Sequence, residues 1–491
     1  MRIDNLGETL SMIAKAASVG DRKSAVSMLY KLFDFNSTSS KLTHFIANTA
    51  VSLGEFSLAS SAALKHLNAG PDNVENLLNC CAILAECGQF DQVTKLLAPA
   101  LARKTVHGAV QHLAGTIFQQ RGMRDQAREL LLNSLSKSND TRGITWLTLA
   151  TSSDFAQDEE LFARIVKAEG PIARSPDNNK IPYYFARGKA ELDRGLYDQA
   201  FDTFSTGAKL ARKLTPYDAD AEQQLYTSIT RSARGAREPV KRSLTNDSTE
   251  TNPIFIAGLP RSGTTLLEQI LTNHEKILDG GEFGGMRWAT MQFGGVTKIP
   301  LGDSHPSTGT TAPFGEIANL YRDITAQRYG SNGITVDKSI NNSLYLGIIT
   351  NAFPDSPIIH IERSFEDIAW SCFRTCFNRG NLWSNSLNDI ANHFELERQL
   401  MATWKNCLGD RVYTVNYEDL VREPETEIPR ILDACGLTHS EAVFKFHESE
   451  RAITTSSTHQ VRQPLYQTSV SSSSHVRHRM GEFTKVFGKK N

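Results

Sequence analysis

The chain has 491 residues, 40% hydrophobic and 22% charged, the make-up of an ordinary globular protein long enough for two or more domains. Its 53 Lys and Arg against 54 Asp and Glu leave a formal net charge of −1, which excludes a general pull toward nucleic acid or an anionic membrane, so an anionic ligand must be held by a local site. Seven cysteines, at 80, 81, 87, 372, 376, 407 and 435, contain no metal-type pair of CxxC units, and an odd number fits a reducing compartment.

The opening segment, MRIDNLGETLSMIAKAAS, carries acids early and has no apolar stretch of signal-peptide length, and no run elsewhere reaches the ~20 residues of a membrane helix. The expectation is a cytoplasmic chain without membrane insertion. Glycines then stand at 20, 54, 88 and 122, each 34 residues after the last. Around them the pattern Gly-x-(aromatic or Arg)-x-x-(Ala or Val) recurs, in Gly54 to Ala59, Gly88 to Val93 and Gly122 to Ala127, with a weaker copy from Gly20 to Ala25. The flanks have helical period, as in LLNCCAILAEC before Gly88 and DQVTKLLAPALA after it. A further copy runs from Gly195 to Ala200, beyond a stretch (140–180) where the period is lost and two degenerate units with a short insertion would fit. The pattern resembles the tetratricopeptide repeat, which implies an all-α solenoid over residues 1–235. Each unit would contact mainly its neighbours, so the array should fold on its own, and its concave face would bind a partner.

Residues 236–252, rich in Ser, Thr, Asn and charges, read as a linker. From 253 to 491 the texture changes. Strand-like runs PIFIA (253–257), ITVD (334–337), PIIHI (357–361) and RVYTV (411–415) alternate with helical segments, which implies an α/β domain with a mostly parallel sheet. Between the first strand and its helix lies GLPRSGTT, Gly258 to Thr265, where backbone N–H groups and the helix dipole favour a phosphate. The loop is close to GxxxxGK[ST], but Thr264 stands where the lysine should be, and no magnesium-binding carboxylate motif accompanies it. Arg261 supplies the cation instead. The site is P-loop-like, with no metal required.

PRSGTT after an apolar strand resembles the 5′-phosphosulfate loop of sulfotransferases, and further motifs follow in order: Gly281-Glu282, Asp337-Lys338, Arg363 with Ser371 in IERSFEDIAWSCF, VNYEDLVREPE with Tyr417, and Ser457 before Gln460 in SSTHQVRQ. With the repeats, the chain resembles bacterial tetratricopeptide sulfotransferases, and in its C-terminal domain the tyrosylprotein sulfotransferases. The resemblance implies 3′-phosphoadenosine 5′-phosphosulfate (PAPS) as donor and 3′-phosphoadenosine 5′-phosphate (PAP) as product. Pro260, Arg261, Ser262, Gly263, Thr264 and Thr265 would hold the 5′-phosphosulfate, with Tyr417 on the cofactor side, and Arg363, Ser371 and Arg462 would hold the 3′-phosphate. Glu282 would be the general base, with Lys338, Ser457 and Arg261 stabilising charge at the reacting group. The acceptor would be a hydroxyl, protein tyrosine among the candidates, on a peptide or protein bound with help from the repeats. Gly284, Ile340 and Ser364 depart from the residues usual in those enzymes, and Gly284, where an Arg is usual, weakens transfer of the tyrosylprotein acceptor preference.

Plainer readings stand beside these. Glu282 could be a solvated loop carboxylate, Lys338 a snorkelling strand-end lysine, and Arg363 with Ser371 an exposed pair. His274, at the end of the loop helix, reads as a C-terminal cap more readily than as a base, and Cys372 and Cys376 as packed small residues. Two other functions compete: a P-loop nucleotide kinase or phosphotransferase, opposed by the missing lysine, and an inactive repeat scaffold, opposed by the retained acid and cations.

Overall fold

The computed structural model describes residues 6–35, 39–234, 252–301, 312–377, 380–449, 451–453, 460–462 and 470–488. The first part is a series of helix pairs: α1 (Leu6–Ser18) with α2 (Arg22–Asp34), α3 (Ser40–Ser52) with α4 (Phe56–Asn68), α5 (Val74–Glu86) with α6 (Phe90–Leu101), and α7 (Gly108–Gln120) with α8 (Arg124–Lys137). The pairs turn at the glycines spaced by 34. Gly20, Gly54, Gly88 and Gly122 have φ of 81°, 75°, 82° and 80°, a left-handed geometry that glycine adopts without a Cβ penalty. Where the period is lost, α9 (Gly143–Ser152) is followed by α10 (Glu159–Lys167) and the single turn α11 (Glu169–Ile172), joined without a glycine. The pair α12 (Asp177–Asp193) and α13 (Tyr197–Leu214) then turns at Gly195, and α14 (Ala219–Arg234) ends the array.

The second part holds β1 (Ile254–Ala257), α15 (Thr264–Thr272), β2 (Ile277–Gly281), α16 (Gly285–Met291), α17 (Phe314–Tyr329), β3 (Ile334–Asp337), α18 (Asn342–Ala352), β4 (Ile358–Glu362), α19 (Phe365–Phe373), α20 (Leu387–Leu408), β5 (Val412–Asn416), α21 (Tyr417–Arg422), α22 (Pro424–Cys435) and α23 (Gly481–Phe487). The sheet has five parallel strands in the order β2-β3-β1-β4-β5. The sequence pattern exposes four of them and misses β2, because ILDGG is short, half polar and ends in two glycines. Gly280 is needed there: a Cβ would lie 2.7 Å from the carbonyl oxygen of Val336 on β3.

Alternate residues of the strands feed two different cores. Ile254, Ile256, Ile359, Ile361 and Val415 face α15, α21 and α22. Phe255, Ala257, Ile358 and Val412 belong instead to a cluster that runs without a break from Ile13 and Leu29 of the first helix pair to Trp404 of α20. A third cluster joins Phe185, Phe201 and Phe204 of the array to Trp370 and Phe394. The helical array and the α/β part therefore share cores, as two sides of one packed body.

The repeat turns are the point of contact. A Cβ on Gly54 would meet the Trp288 ring at 2.8 Å, and the glycines at 20, 88 and 122 face Met291, Arg328 and Arg462. Trp288 Nε1 donates to the Ser52 carbonyl at 3.0 Å and its ring meets Phe56 edge-on, while Arg328 donates to the Glu86 carbonyl. The turn glycines thus serve close approach between the two parts as well as the tight turn. The linker expected at 236–252 lies, apart from its last residue, outside the described residues.

Candidate active site

The strand order sets the site. Parallel strands end on the same side, so the residues that follow β2, β3, β1 and β4 stand in a row at the carboxyl edge of the sheet, where open α/β folds bind ligands. Gly281 is in register with Asp337, which makes Glu282 and Lys338 neighbours, and Glu362 with Asn416, which does the same for Arg363 and Tyr417.

The loop after β1 is curled by Arg261, at φ 71°, and Gly263, at φ 108°. Non-glycine residues enter this region at a cost of roughly 1–2 kcal/mol, so Arg261 must be held there. Arg363 Nη1 donates to its carbonyl at 3.2 Å, and its own Nε donates to Ser371 Oγ at 3.0 Å. Gly263 is the N-cap of α15, and a Cβ on it would sit 2.4 Å from the Tyr417 ring. That ring carries the Arg363 guanidinium at 4.3 Å from its centroid. Cys372 Sγ contacts the Pro260 carbonyl at 3.4 Å. Burial pushes the thiols of Cys372 and Cys376 up to about 12, as expected of packed side chains.

Thr264 and Thr265 open α15, whose first N–H groups have no partner within the helix. Leu267, Ile270 and Leu271 anchor its apolar side. Its other side carries Thr265, Glu268 and Thr272, turned toward the ends of β2 and β3.

Lys338 is 2% exposed and its Nζ lies 2.5 Å from Glu282 Oε1, 3.3 Å from Thr265 Oγ1 and 3.3 Å from Glu268 Oε2. Burial works against the ammonium, and the carboxylates of Glu282 and Glu268 overcome it, leaving the lysine pKa raised. The Glu282 side chain keeps about a third of its surface open to solvent (32%). The Gly284 N–H donates to Ser339 Oγ at 3.0 Å, tying the two strand-end loops together, and Asp337 is fully buried with Tyr321, Ser339 and Asn342 on its oxygens. Burial raises the Asp337 pKa against those hydrogen bonds.

The structure thus brings Pro260 to Thr265, Glu282, Lys338, Arg363, Ser371 and Tyr417 to one edge of the sheet. Arg462 is different. It spends Nη1 on the Ser449 carbonyl and Nη2 on the carbonyls of Gln120 and Arg451, at 2.7, 2.8 and 2.7 Å, and among the described residues no hydrogen bond links it to Arg261, Arg363 or Ser371. The guanidinium expected on the 3′-phosphate lies at the contact with the repeats. Ser457 lies outside the described residues. His274 is buried; its Nδ1 accepts from the Lys276 N–H at 3.1 Å, so Nε2 carries the proton given to the Thr438 carbonyl at 2.9 Å. It ties the end of α15 to the chain after α22; the C-cap of α15 is Asn273, so the cap expected of His274 falls to its neighbour.

Sequence reasoning missed Glu268, Arg451 and Ser339, and singled out Asp337 only as part of the Asp337-Lys338 motif. Glu268 was within reach: in TTLLEQIL, Thr265 and Glu268 are three apart on the face opposite the leucines, a polar stripe on a helix that must otherwise be buried. Arg451 had no such signal, because nothing local pairs it with residues more than 170 positions away.

The residues fit an anionic phosphosulfate. Ser262 Oγ is fully buried beside the loop with no hydrogen-bond partner among the described residues, and Gly263 leaves the backbone bare where a side chain could not fit. Among the described residues no three His, Cys, Asp or Glu side chains gather as a metal would require. No described helix is long and apolar enough to cross a membrane.

Residues 253–441 match the model of the sulfotransferase family. A protein of Aquifex aeolicus (strain VF5), described only as uncharacterized, is 27% identical over 405 residues, 79% of this chain and 51% of that protein. A protein of Caenorhabditis briggsae named "Putative protein-tyrosine sulfotransferase" is 26% identical over 208 residues, 40% of this chain and 69% of that one. The chain therefore spans about half the length of the Aquifex relative. Among solved structures, the sulfotransferase domain from the Synechococcus PCC 7002 olefin synthase is 20% identical, covers 48% of this chain and 91% of its own, and has a TM-score of 0.34. The family match and the five-stranded parallel sheet agree on one conclusion: residues 253–441 form a sulfotransferase-family domain.

Proposed function

We propose that the protein moves a sulfuryl group from PAPS to an acceptor hydroxyl. The observation that carries this reading is the Glu282–Lys338 pair, 2.5 Å apart and next to Thr265 of the phosphate loop, within a domain of this family. A carboxylate and an ammonium at that place divide the work that sulfuryl transfer needs. The donor supplies an activated sulfur–oxygen bond. The acceptor oxygen bonds to sulfur, the bond from sulfur to the 5′-phosphate oxygen breaks, and the acceptor proton passes to Glu282. Lys338, kept charged by its carboxylates, neutralises the oxygen that leaves. Glu282 meets Lys338 through Oε1, which leaves Oε2 to meet the hydroxyl. A carboxylate acts here only as the hydroxyl proton turns acidic in the transition state, contributing about 10²–10⁴-fold.

The loop 260–265 binds the 5′-phosphosulfate through backbone N–H groups, Ser262 and the two threonines, and Tyr417 packs against the loop. Arg363 and Ser371 bind the 3′-phosphate, and Arg261, already on Ser371, joins the two subsites. Ser457 completes the set in this reading. The acceptor is a peptide or protein hydroxyl, tyrosine among the candidates, approaching beside α16 where the first two repeat turns border the site. The name of the Caenorhabditis relative and the contact of Trp288 with Gly54 support that choice.

Calorimetry with PAP, adenosine 5′-phosphate and ATP tests the donor site. PAP should bind tightly and the two ligands lacking a 3′-phosphate poorly, and Arg363→Ala should weaken PAP by about 1.5–3 kcal/mol. Equal affinity for PAP and adenosine 5′-phosphate would remove the 3′-phosphate assignment.

A further inference from the structure

Behind the Glu282–Lys338 pair lies a chain of charges to which the reaction as proposed gives no task. Glu268 places Oε2 3.3 Å from Lys338 Nζ and Oε1 3.0 Å from Arg451 Nη1. Arg451 also bonds Thr272 Oγ1 at 3.0 Å, the Asp279 carboxylate and the Gly280 carbonyl, so one guanidinium clamps α15 to β2. The segment that carries it rests on the repeats. The Ile453 N–H donates to the Gln120 carbonyl at 2.9 Å, and Arg462 binds the carbonyls of both Gln120 and Arg451. The guanidinium of Arg462 packs on the turn at Gly122, where a Cβ would come within 3.0 Å of its Cζ.

We infer that Arg451 and Glu268 are positioning residues that keep the Lys338 ammonium charged and aimed along the row of strand ends, and that the Gly122 turn of the helical array is their anchor. The inference rests on the sulfotransfer reading and assigns the repeats a share in shaping the donor site. The physical argument is one of balance. Lys338 is buried, and burial alone would discharge it, so a second carboxylate beside Glu282 favours the charged form. A second carboxylate left unpaired would also draw the ammonium off Glu282 toward α15. Arg451 takes one oxygen of Glu268 and prevents that. The carboxylates of Glu268 and Asp279 favour the charge on Arg451 against its own burial, so it stays a cation throughout.

The groups that face this network are few. Glu282 comes from the loop after β2, Glu268 and Thr265 from α15, and Asp279 from β2. Asp337 is turned away onto Tyr321 and Asn342. The Tyr329 hydroxyl on α17 is pushed up to about 12, mainly by burial, and stays neutral below that range.

The test uses the full chain and PAP binding, which needs no acceptor. Glu268→Gln removes one of the two carboxylates that favour the Lys338 charge, so the pKa of Lys338 falls. The loss of PAP affinity at alkaline pH should then begin at least one pH unit lower than in the unaltered chain. Arg451→Met should weaken PAP about tenfold at neutral pH, and Arg451→Lys should restore part of that; if Arg451→Met does not fold, Arg451→Lys carries the same expectation at smaller size. In the double variant the two effects should fall short of their sum, as for groups in one network. Arg462→Ala should weaken PAP and adenosine 5′-phosphate by equal factors, whereas a residue on the 3′-phosphate would weaken PAP alone. An unmoved alkaline limb in Glu268→Gln with additive effects overturns the inference. A chain that binds no PAP in any form overturns the sulfotransfer reading itself.

Discussion

The two halves of this molecule store their information differently. In the helical array, meaning lies in spacing: a glycine every 34 residues, each at nearly the same φ between 75° and 82°, builds one turn after another from local sequence. In the α/β domain, meaning lies in adjacency created by the strand order, which sets side by side residues as distant as Glu282 and Lys338, or Arg261 and Ser371. Local repetition makes a surface, and non-local topology makes the candidate active site. The two halves meet in a shared core, since Phe255 of β1 and Ile46 of α3 belong to one cluster.

The largest expected effect falls on the reaction centre alone. Glu282→Gln should lower sulfuryl transfer by about 10²-fold or more with little change in PAP affinity, because the carboxylate meets the acceptor and not the nucleotide. A PAP affinity that fell along with the rate would mean that Glu282 holds the donor site in shape, and the distinction between positioning and chemistry would blur.

The next effect breaks the comparison from the other side. Removal of residues 1–235 strips α14 from α18 and α20 and the repeat turns from α16 and α17, and uncovers Trp288 and Trp370. The isolated α/β domain should therefore be insoluble or should lose cooperative melting. A soluble domain that melts cooperatively and binds PAP as the full chain does would restore the simpler expectation of two independent units.

A smaller effect probes the contact itself. Trp288→Ala removes a partly buried ring from the Gly54 turn and a hydrogen bond to Ser52, and should cost about 1–3 kcal/mol of unfolding free energy, read by denaturant titration. Gly54→Ala should destabilise in the same direction, since the new Cβ meets that ring and the turn keeps its positive φ.

The smallest effect compares one histidine from each half. Burial holds both His112 of α7 and His360 of β4 down at about 4. With an ordinary value near 6.5 in the unfolded chain, only the unfolded state takes up protons as pH falls from about 6.5 toward 4. Stability is thus fully present above that window and declines within it. His112→Gln and His360→Gln should each flatten the decline, measured by thermal melting across pH, and the two flattenings should be alike if the halves melt as one body.

What the sequence discloses follows the same division. The turns at 20, 54, 88, 122 and 195, four of the five strands and the phosphate loop are readable, because each depends on neighbours in the chain. Glu282 and Lys338 were singled out through family resemblance, since nothing near Glu282 announces Lys338. Two features stayed hidden for opposite reasons. The edge strand β2 is too polar and glycine-rich for a periodicity signal, although it carries the residue just before Glu282. Arg451 looks like any basic residue of a polar segment until folding brings it to Glu268, and nothing local links Arg462, singled out by resemblance, to Gln120.

The most direct measurement is transfer of radiolabelled sulfate from PAPS, by the full chain and by Glu282→Gln in parallel, into a lysate of the source organism. The account predicts discrete labelled acceptors with the unaltered chain, their near disappearance with Glu282→Gln, and equal PAP affinity of the two proteins. Equal labelling by both proteins, or no labelling above a protein-free control despite tight PAP binding, would contradict it.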